Sequence, residues 1–367
     1  MKLPVILLAS ALLCSGSMHA QSAKPEKKAK AYMVADAHLD TQWNWDVQTT
    51  IKEYVWNTLS RNLFLLKKYP DYIFNFEGGV KYAWMKEYFP SEYEQLKAFV
   101  RSGRWHISGS SWEASDVLVP SVESSIRNIL LGQEYYRKEF GTESTDIFLP
   151  DCFGFGWTLP TIAKHCDQLF KDYLPYEKHS ELPVFNGELL MDVHGTGCYT
   201  SQAAMKLYNR QNELLGDAAE RAAVAADWLG IAGYPGESLR EAWKRFIFHQ
   251  FHDDLTGTSI PRAYEFSWND ELLSLKQFSG VLTASVGAVS EKMDTRVKGI
   301  PVVFYNALGF PVTDVAEVAI EAPKFPKGVS VYNAEGKQVA SQLLSYRNGT
   351  VYLLIEATVP ATGYAVH

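Results

Sequence analysis

The sequence predicts an α/β fold: an incomplete (β/α) barrel-like domain, then a three-helix bundle, then the start of a β-sandwich. Three observations predict it. In the first half, short apolar runs alternate with amphipathic helical stretches at spacings of roughly 35 to 40 residues, as in right-handed βαβ units. From Tyr199 apolar residues recur every three or four positions over long stretches, as on helix faces. From Ile300 short alternating runs are separated by Asn- and Gly-containing turns, as in antiparallel sheets. The expected boundaries are 31–197, 198–296 and 297–367.

In chain order, Lys2, an apolar run from Leu3 to Leu13 and the small or polar residues ending at His19-Ala20 read as a secretory signal peptide, residues 1–20, cut after Ala20. A lipoprotein reading through Cys14 is disfavoured because Leu13 is too bulky for the position before such a cysteine. Residues 21–30 are a polar linker. No later apolar run approaches the roughly 18 residues of a spanning helix, so the mature chain is expected to be soluble, off the membrane, and secreted or periplasmic. A net charge of -7 and the absence of a basic stripe argue against nucleic acid as a partner. Once the leader is removed Cys152, Cys166 and Cys198 remain, an odd number without framework spacing, and no disulfide scaffold is inferred.

Strands are expected at 32–35, 72–76, 105–108 and 146–149, and helices at 57–68 and 91–101. His38 and Asp40 follow the first strand. In extended chain residues i and i+2 point the same way, so this imidazole and carboxylate can converge, although a surface His beside a helix-capping Asp is the bland alternative. The second strand ends in Glu77-Gly78-Gly79. The third is followed by Trp112-Glu113-Ala114-Ser115-Asp116 and Pro120-Ser121-Val122-Glu123-Ser124, where Ser121 or Ser124 suits a helix cap as well as a ligand contact. The fourth ends in Asp151-Cys152-Phe153-Gly154-Phe155-Gly156. An Asp at a strand mouth beside glycines that admit close approach suits a nucleophile or a metal ligand. His249 and His252 stand three apart where Gly257 and the threonines suggest a helix is ending. Together His38, Asp40, Asp151 and His252 make two imidazoles and two carboxylates, a donor set suited to zinc with positions left open for a ligand.

Three motifs, His38-Leu39-Asp40-Thr41-Gln42-Trp43, Asp151-Cys152-Phe153-Gly154 and His252-Asp253-Asp254-Leu255-Thr256-Gly257-Thr258, occur in the order of the signatures of family 38 glycoside hydrolases, the retaining α-mannosidases, and the chain resembles that family from about Ala31 onward. The resemblance extends to Gly103-Arg104-Trp105-His106, the run from Trp112 to Ser124, and the stretch from Glu188 to Asn209 that contains His194 to Gln202. It implies a Zn2+ ion held by His38, Asp40, Asp151 and His252, with Asp151 also the catalytic nucleophile. It also implies a mannose-containing glycan as substrate. Trp43 and Phe153 would line the sugar pocket, the alternative being ordinary core packing, and Asp116 and His194 are further candidates for substrate contact. A homo-oligomer is left open.

The chain departs from its family in one respect that matters for chemistry. Retaining hydrolysis needs a second carboxyl as general acid, and the aromatic-rich loop that supplies it in the family is missing after Asp151. Glu188 and Asp192 are the nearest substitutes. A βα unit takes about 30 residues, so 31–192 holds about five strands, whereas a complete barrel needs roughly 200 to 250 residues. The barrel is therefore expected to be internally shortened, and the β-rich end to stop short of the family's usual C-terminal region. A zinc- or sugar-binding pseudoenzyme without its acid is the first alternative function. A zinc-dependent carbohydrate deacetylase is the second; it wants a His-x-x-x-His turn, which the His249 to His252 spacing does not supply.

The helical expectations are a seam of Ala204, Leu207, Leu214, Ala218, Ala222, Ala225 and Leu229, a stretch at 239–250 and another at 264–293. Strands are expected at 301–306, 314–320, 329–332 and 350–355, with turns at Asn333-Ala334-Glu335-Gly336 and Asn348-Gly349.

Overall fold

The computed structural model describes residues 33–165, 189–190, 195 and 197–367. The expected leader and linker lie outside the described residues, as do Glu188, Asp192 and His194. Strand β1 (Ala35–Ala37) is followed by helix α1 (Val47–Thr49), where the Asp46 carboxylate caps the Thr49 N–H. A π-helical stretch, Thr50–Val55, runs directly into α2 (Trp56–Lys68). Leu59, Leu63 and Leu66 fall on one helical stripe and are buried by it.

Next come β2 (Phe74–Glu77), α3 (Gly79–Tyr88), α4 (Pro90–Arg101) and β3 (Trp105–Ser108). The three strands form a parallel sheet in the order β1-β2-β3, with Ala37 opposite Phe76 and Phe76 opposite Ile107. Parallel strands put all their C-terminal ends on one edge, so His38, Glu77 and the loop after Ser108 emerge side by side. Phe74, Phe76, Trp105 and Ile107 form a core with the α2 leucines, Tyr82, Tyr93 and Tyr136. Trp105 Nε1 donates to the Tyr82 hydroxyl at 3.0 Å, and that hydroxyl donates to the Phe76 carbonyl at 2.8 Å, so the aromatic polar tips are satisfied inside. Ser121 caps α5 (Val122–Phe140) by accepting from the Ser124 N–H.

The expected fourth strand at 146–149 is irregular backbone. The Asp146 carboxylate accepts from Gly109 N–H at 2.6 Å, and its carbonyl accepts from the Ser110 hydroxyl at 2.7 Å. Side-chain bonding takes the place of a ladder there. β4 (Gly154–Phe155), followed by α6 (Thr158–His165), pairs antiparallel with β5 (Leu189–Leu190). Among the described residues the parallel sheet thus holds three strands and stays open, fewer than the five expected.

A 3-10 turn, Cys198–Thr200, leads to the bundle of α7 (Ala203–Trp228), α8 (Gly236–Phe248) and, after the short α9 (His252–Thr256), α10 (Pro261–Ser290). The buried face of α7 is Met205, Asn209, Asn212, Glu213, Gly216, Ala219, Ala222, Ala223 and Ala226. Of the expected seam only Ala222 is buried, while Leu207 and Leu214 are 55% exposed. Apolar periodicity missed the face because it carries polar residues that find partners inside: Asn209 accepts from Gln250, Glu213 from Ser121 N–H. Helix α10 is long and apolar enough by length and composition to cross a membrane, contrary to the reading of apolar runs. Here its Phe278 and Val281 pack with Ala219 and Ala223 of α7 and Trp243 and Phe246 of α8.

The remaining strands are β6 (Val303–Asn306), β7 (Val312–Glu321), β8 (Val331–Tyr332), β9 (Gln338–Val339), β10 (Ser341–Arg347), β11 (Thr350–Val359) and β12 (Gly363–Val366). β10, β11 and β7 form an antiparallel sheet in that order, and β12 pairs with β6. Along β11 Val351, Leu353, Ile355, Ala357 and Val359 alternate inward. Asn348 and Gly349, at φ +51° and +82°, form the β10–β11 turn, a left-handed pair that Asn-Gly adopts at low cost.

Candidate metal centre

His38 and Asp40 stand just past β1, and their i, i+2 spacing brings His38 Nε2 to 2.9 Å from Asp40 Oδ1. The Trp112-to-Asp116 loop after β3 brings in His252. Ser115 bridges to Phe251, Asp116 N–H donates to Gln250 O at 2.9 Å, and His252 N–H donates to Ala114 O at 3.3 Å. This short antiparallel contact seats His252, 1% exposed, with its Nε2 3.4 Å from Asp40 Oδ1. The two imidazoles stack with centroids 5.2 Å apart. Cys152 Sγ bonds the Ser115 carbonyl at 3.6 Å and ties the following segment to the same loop. Asp151 Oδ2 lies 3.8 Å from His38 Nε2 with its side chain 65% exposed.

The structure therefore brings together all four residues proposed from sequence: one ligand atom from each of His38, Asp40, Asp151 and His252 lies within 4.8 Å of the other three. Ligands bound at about 2 Å from a common cation stand about 3 to 4 Å apart, so the group needs little contraction to close on an ion. The fit is chemical as well. His38 Nε2, Asp40 Oδ1 and His252 Nε2 are buried, find no hydrogen-bond partner outside this group and face one another. Both imidazoles bond outward through Nδ1, His38 with Glu77 Oε1 at 2.8 Å and His252 with Ala114 O at 2.8 Å. Each acceptor requires a proton on Nδ1 and so leaves Nε2 for the ion.

Burial pulls the His38 imidazole down, but Asp40 and Glu77 outweigh it and lift it to about 9. Burial likewise pushes Asp40 up, and its contacts with His252 and His38 reverse this and hold its carboxyl well below the usual range. Buried Asp253 is pushed up to about 6, mainly by loss of solvent and against the pull of His252.

The other sequence candidates are placed differently. Trp43 is 40% exposed, edge-on to Trp45 at 5.9 Å, so it is not packed in a core. Phe153 is half-buried, edge-on to Tyr199 at 6.4 Å. The Asp116 carboxylate is buried and engaged by Val119 N–H at 2.8 Å, Leu118 N–H at 3.1 Å and the Tyr199 hydroxyl at 2.5 Å. His249, the other histidine of the late motif, is bonded to Asp254 at 2.8 Å and Asp270 at 3.2 Å, outside the four-residue group. Sequence reasoning assigned no role to Glu77, although its place at the end of β2 is the same strand-mouth signal that singled out His38.

Residues 28–184 match the glycosyl hydrolases family 38 N-terminal domain, and residues 194–287 match the alpha mannosidase middle domain. Alpha-mannosidase G of Dictyostelium discoideum is 24% identical over 371 aligned positions, covering 72% of this chain and 34% of that protein. Alpha-mannosidase 2C1 of Homo sapiens is 28% identical over 141 residues, 38% of this chain and 14% of that protein. An alpha-mannosidase crystal structure from Enterococcus faecalis V583 superposes with a TM-score of 0.72 at 17% identity, over 91% of this chain and 55% of that one. The chain spans about a third or less of the curated relatives it matches. With two successive domain matches over most of its length, and the same fold in the solved structure, the chain belongs to glycoside hydrolase family 38.

Proposed function

We propose that this chain is a retaining α-mannosidase that releases terminal α-linked mannose from glycans outside the cytoplasm, with His38, Asp40, Asp151 and His252 holding zinc. The observation that carries the reading is the convergence of these four side chains, from three separate parts of the sequence, on one point. When bound, the ion would grip vicinal sugar hydroxyls and stabilise charge as a template and Lewis acid.

Asp151 is the nucleophile. It is the most solvent-open of the four, so its carboxylate faces the side from which a sugar arrives. Attack on the anomeric carbon gives a glycosyl-enzyme ester that water opens with net retention. Asp40, half-buried and held ionised by two imidazoles, fixes the geometry. Trp43, exposed on the segment after β1 that carries His38 and Asp40, offers an apolar face for a sugar ring. Glu188 and Asp192, proposed as substitutes for the general acid, lie outside the described residues.

The test is cleavage of 4-nitrophenyl α-mannoside. EDTA should abolish it and zinc restore it. Asp151→Asn should lower kcat by roughly a thousandfold or more while weakening zinc binding far less. Zinc and mannose binding without turnover in the parent chain would overturn the enzymatic reading in favour of a pseudoenzyme.

A further inference from the structure

Behind the four-residue group lies a charged pair that its chemistry does not use. Lys81, on α3, is fully buried, and its Nζ donates to Glu113 Oε1 at 3.2 Å; Glu113 is fully buried too. A buried ion pair loses hydration on both sides, and apolar residues of similar volume are often as stabilising, so stability alone is a weak reason for its presence. Its connections give a better one. Glu113 Oε1 also accepts from Ala114 N–H at 2.8 Å, and the carbonyl of the same Ala114 accepts from His252 Nδ1 at 2.8 Å. On the other side the lysine folds back over Gly78, whose β-carbon, if it had one, would lie 3.1 Å from Nζ. There its charge acts on Glu77, the buried carboxylate that takes His38 Nδ1 at 2.8 Å.

We propose that Lys81 is a positioning residue for the metal centre: its ammonium, paired with Glu113 and lying against Gly78 next to Glu77, fixes the two acceptors that orient His38 and His252. The assignment rests on the reading of those histidines as ligands. A single buried cation thereby couples two ligands 214 positions apart, one through a carboxylate and one through a peptide unit. Without it the buried Glu113 and Glu77 carboxylates lose the cation that offsets their charge, Glu77 and the Ala114 peptide shift, and both Nε2 atoms lose their aim. Partners of this kind typically set metal affinity by about ten- to a hundredfold.

The experiment is titration of the full chain with Co2+, read by its visible d–d absorption and by competition with a chromophoric chelator, alongside thermal unfolding. Lys81→Met should weaken Co2+ binding about ten- to a hundredfold and alter the d–d band. Lys81→Met combined with Glu113→Gln leaves no lone charge in the pair, so its Tm should recover while Co2+ affinity stays low. If that double variant recovers both Tm and the parent affinity and spectrum, the ion pair is merely structural and the assignment falls alone. If the parent binds no Co2+, or His38→Ala binds it as well as the parent, the metal-centre reading falls and takes this assignment with it.

Discussion

Gly132 on α5 lies against the backbone of Ser110 and Ser111: a β-carbon there would stand 2.3 Å from the Ser110 carbonyl oxygen and 2.4 Å from the Ser111 carbonyl carbon. No rotamer change relieves a clash with backbone. The loop pressed onto this glycine continues into Glu113 and Ala114, which back His252. Gly132→Ala should therefore cost at least about 2 kcal/mol, read as a lower denaturant midpoint, and should also weaken metal binding because the loop moves. The four ligand candidates were legible at this scale because each carries a local mark: an i, i+2 pair past a strand, an Asp beside glycines, a His beside a glycine and threonines; the mark on the last was read as a helix ending, whereas a short helix starts there. Glu113 and Lys81 carry no such mark. A lysine inside a helical stretch reads as a solvated face until the fold shows what closes over it.

Helices α7 and α10 and the turn before α9 enclose a second set of buried ionisable groups. Loss of solvent pushes the Glu271 carboxyl up to about 8, despite Asn212 and His249. Burial pulls His249 down, but Asp254 and Asp270 lift it to about 9. Each group binds its proton more tightly folded than unfolded, where the ordinary values are 4.5 and 6.5. The stabilisation from each is complete below its unfolded value and disappears as pH rises through the folded one. Stability should thus decline from pH 4.5 to 8 through Glu271 and from 6.5 to 9 through His249. Glu271→Gln should flatten the fall in Tm between pH 6 and 9; an unchanged slope would show that the carboxyl is already ionised when folded. The same polar residues explain why the helical seam was misread. Asn212 bonds Glu271 across the bundle, so the inward face of α7 is partly hydrophilic and apolar spacing points to the wrong side.

Across the whole molecule, the segment after β1 is fastened to the segment around α9. Gln42 Nε2 reaches both Asp254 oxygens at 2.7 Å, and Ile260 N–H donates to Trp43 O at 2.8 Å. An ion shared by His38, Asp40, Asp151 and His252 would add a cross-link along the same line, closing the barrel-like region onto the bundle. Because it binds the folded chain, metal at a hundredfold excess over Kd should stabilise it by about 3 kcal/mol. Chelation should lower Tm by several degrees, and His252→Ala should already sit at the lowered value and not respond to EDTA.

The sequence by itself determined the succession of α/β, helical and β-rich regions, most element positions within a few residues, and the identity of the four converging side chains. Those follow from periodicity, turn chemistry and donor type, which are local properties. Only the tertiary structure decided that the parallel sheet stays open among the described residues, that Asp146 organises a loop in place of a strand, and which face of α7 turns inward. It alone paired Lys81 with Glu113. Each of these depends on a partner far along the chain, and burial of a charge or an amide is favourable only once that partner is in place.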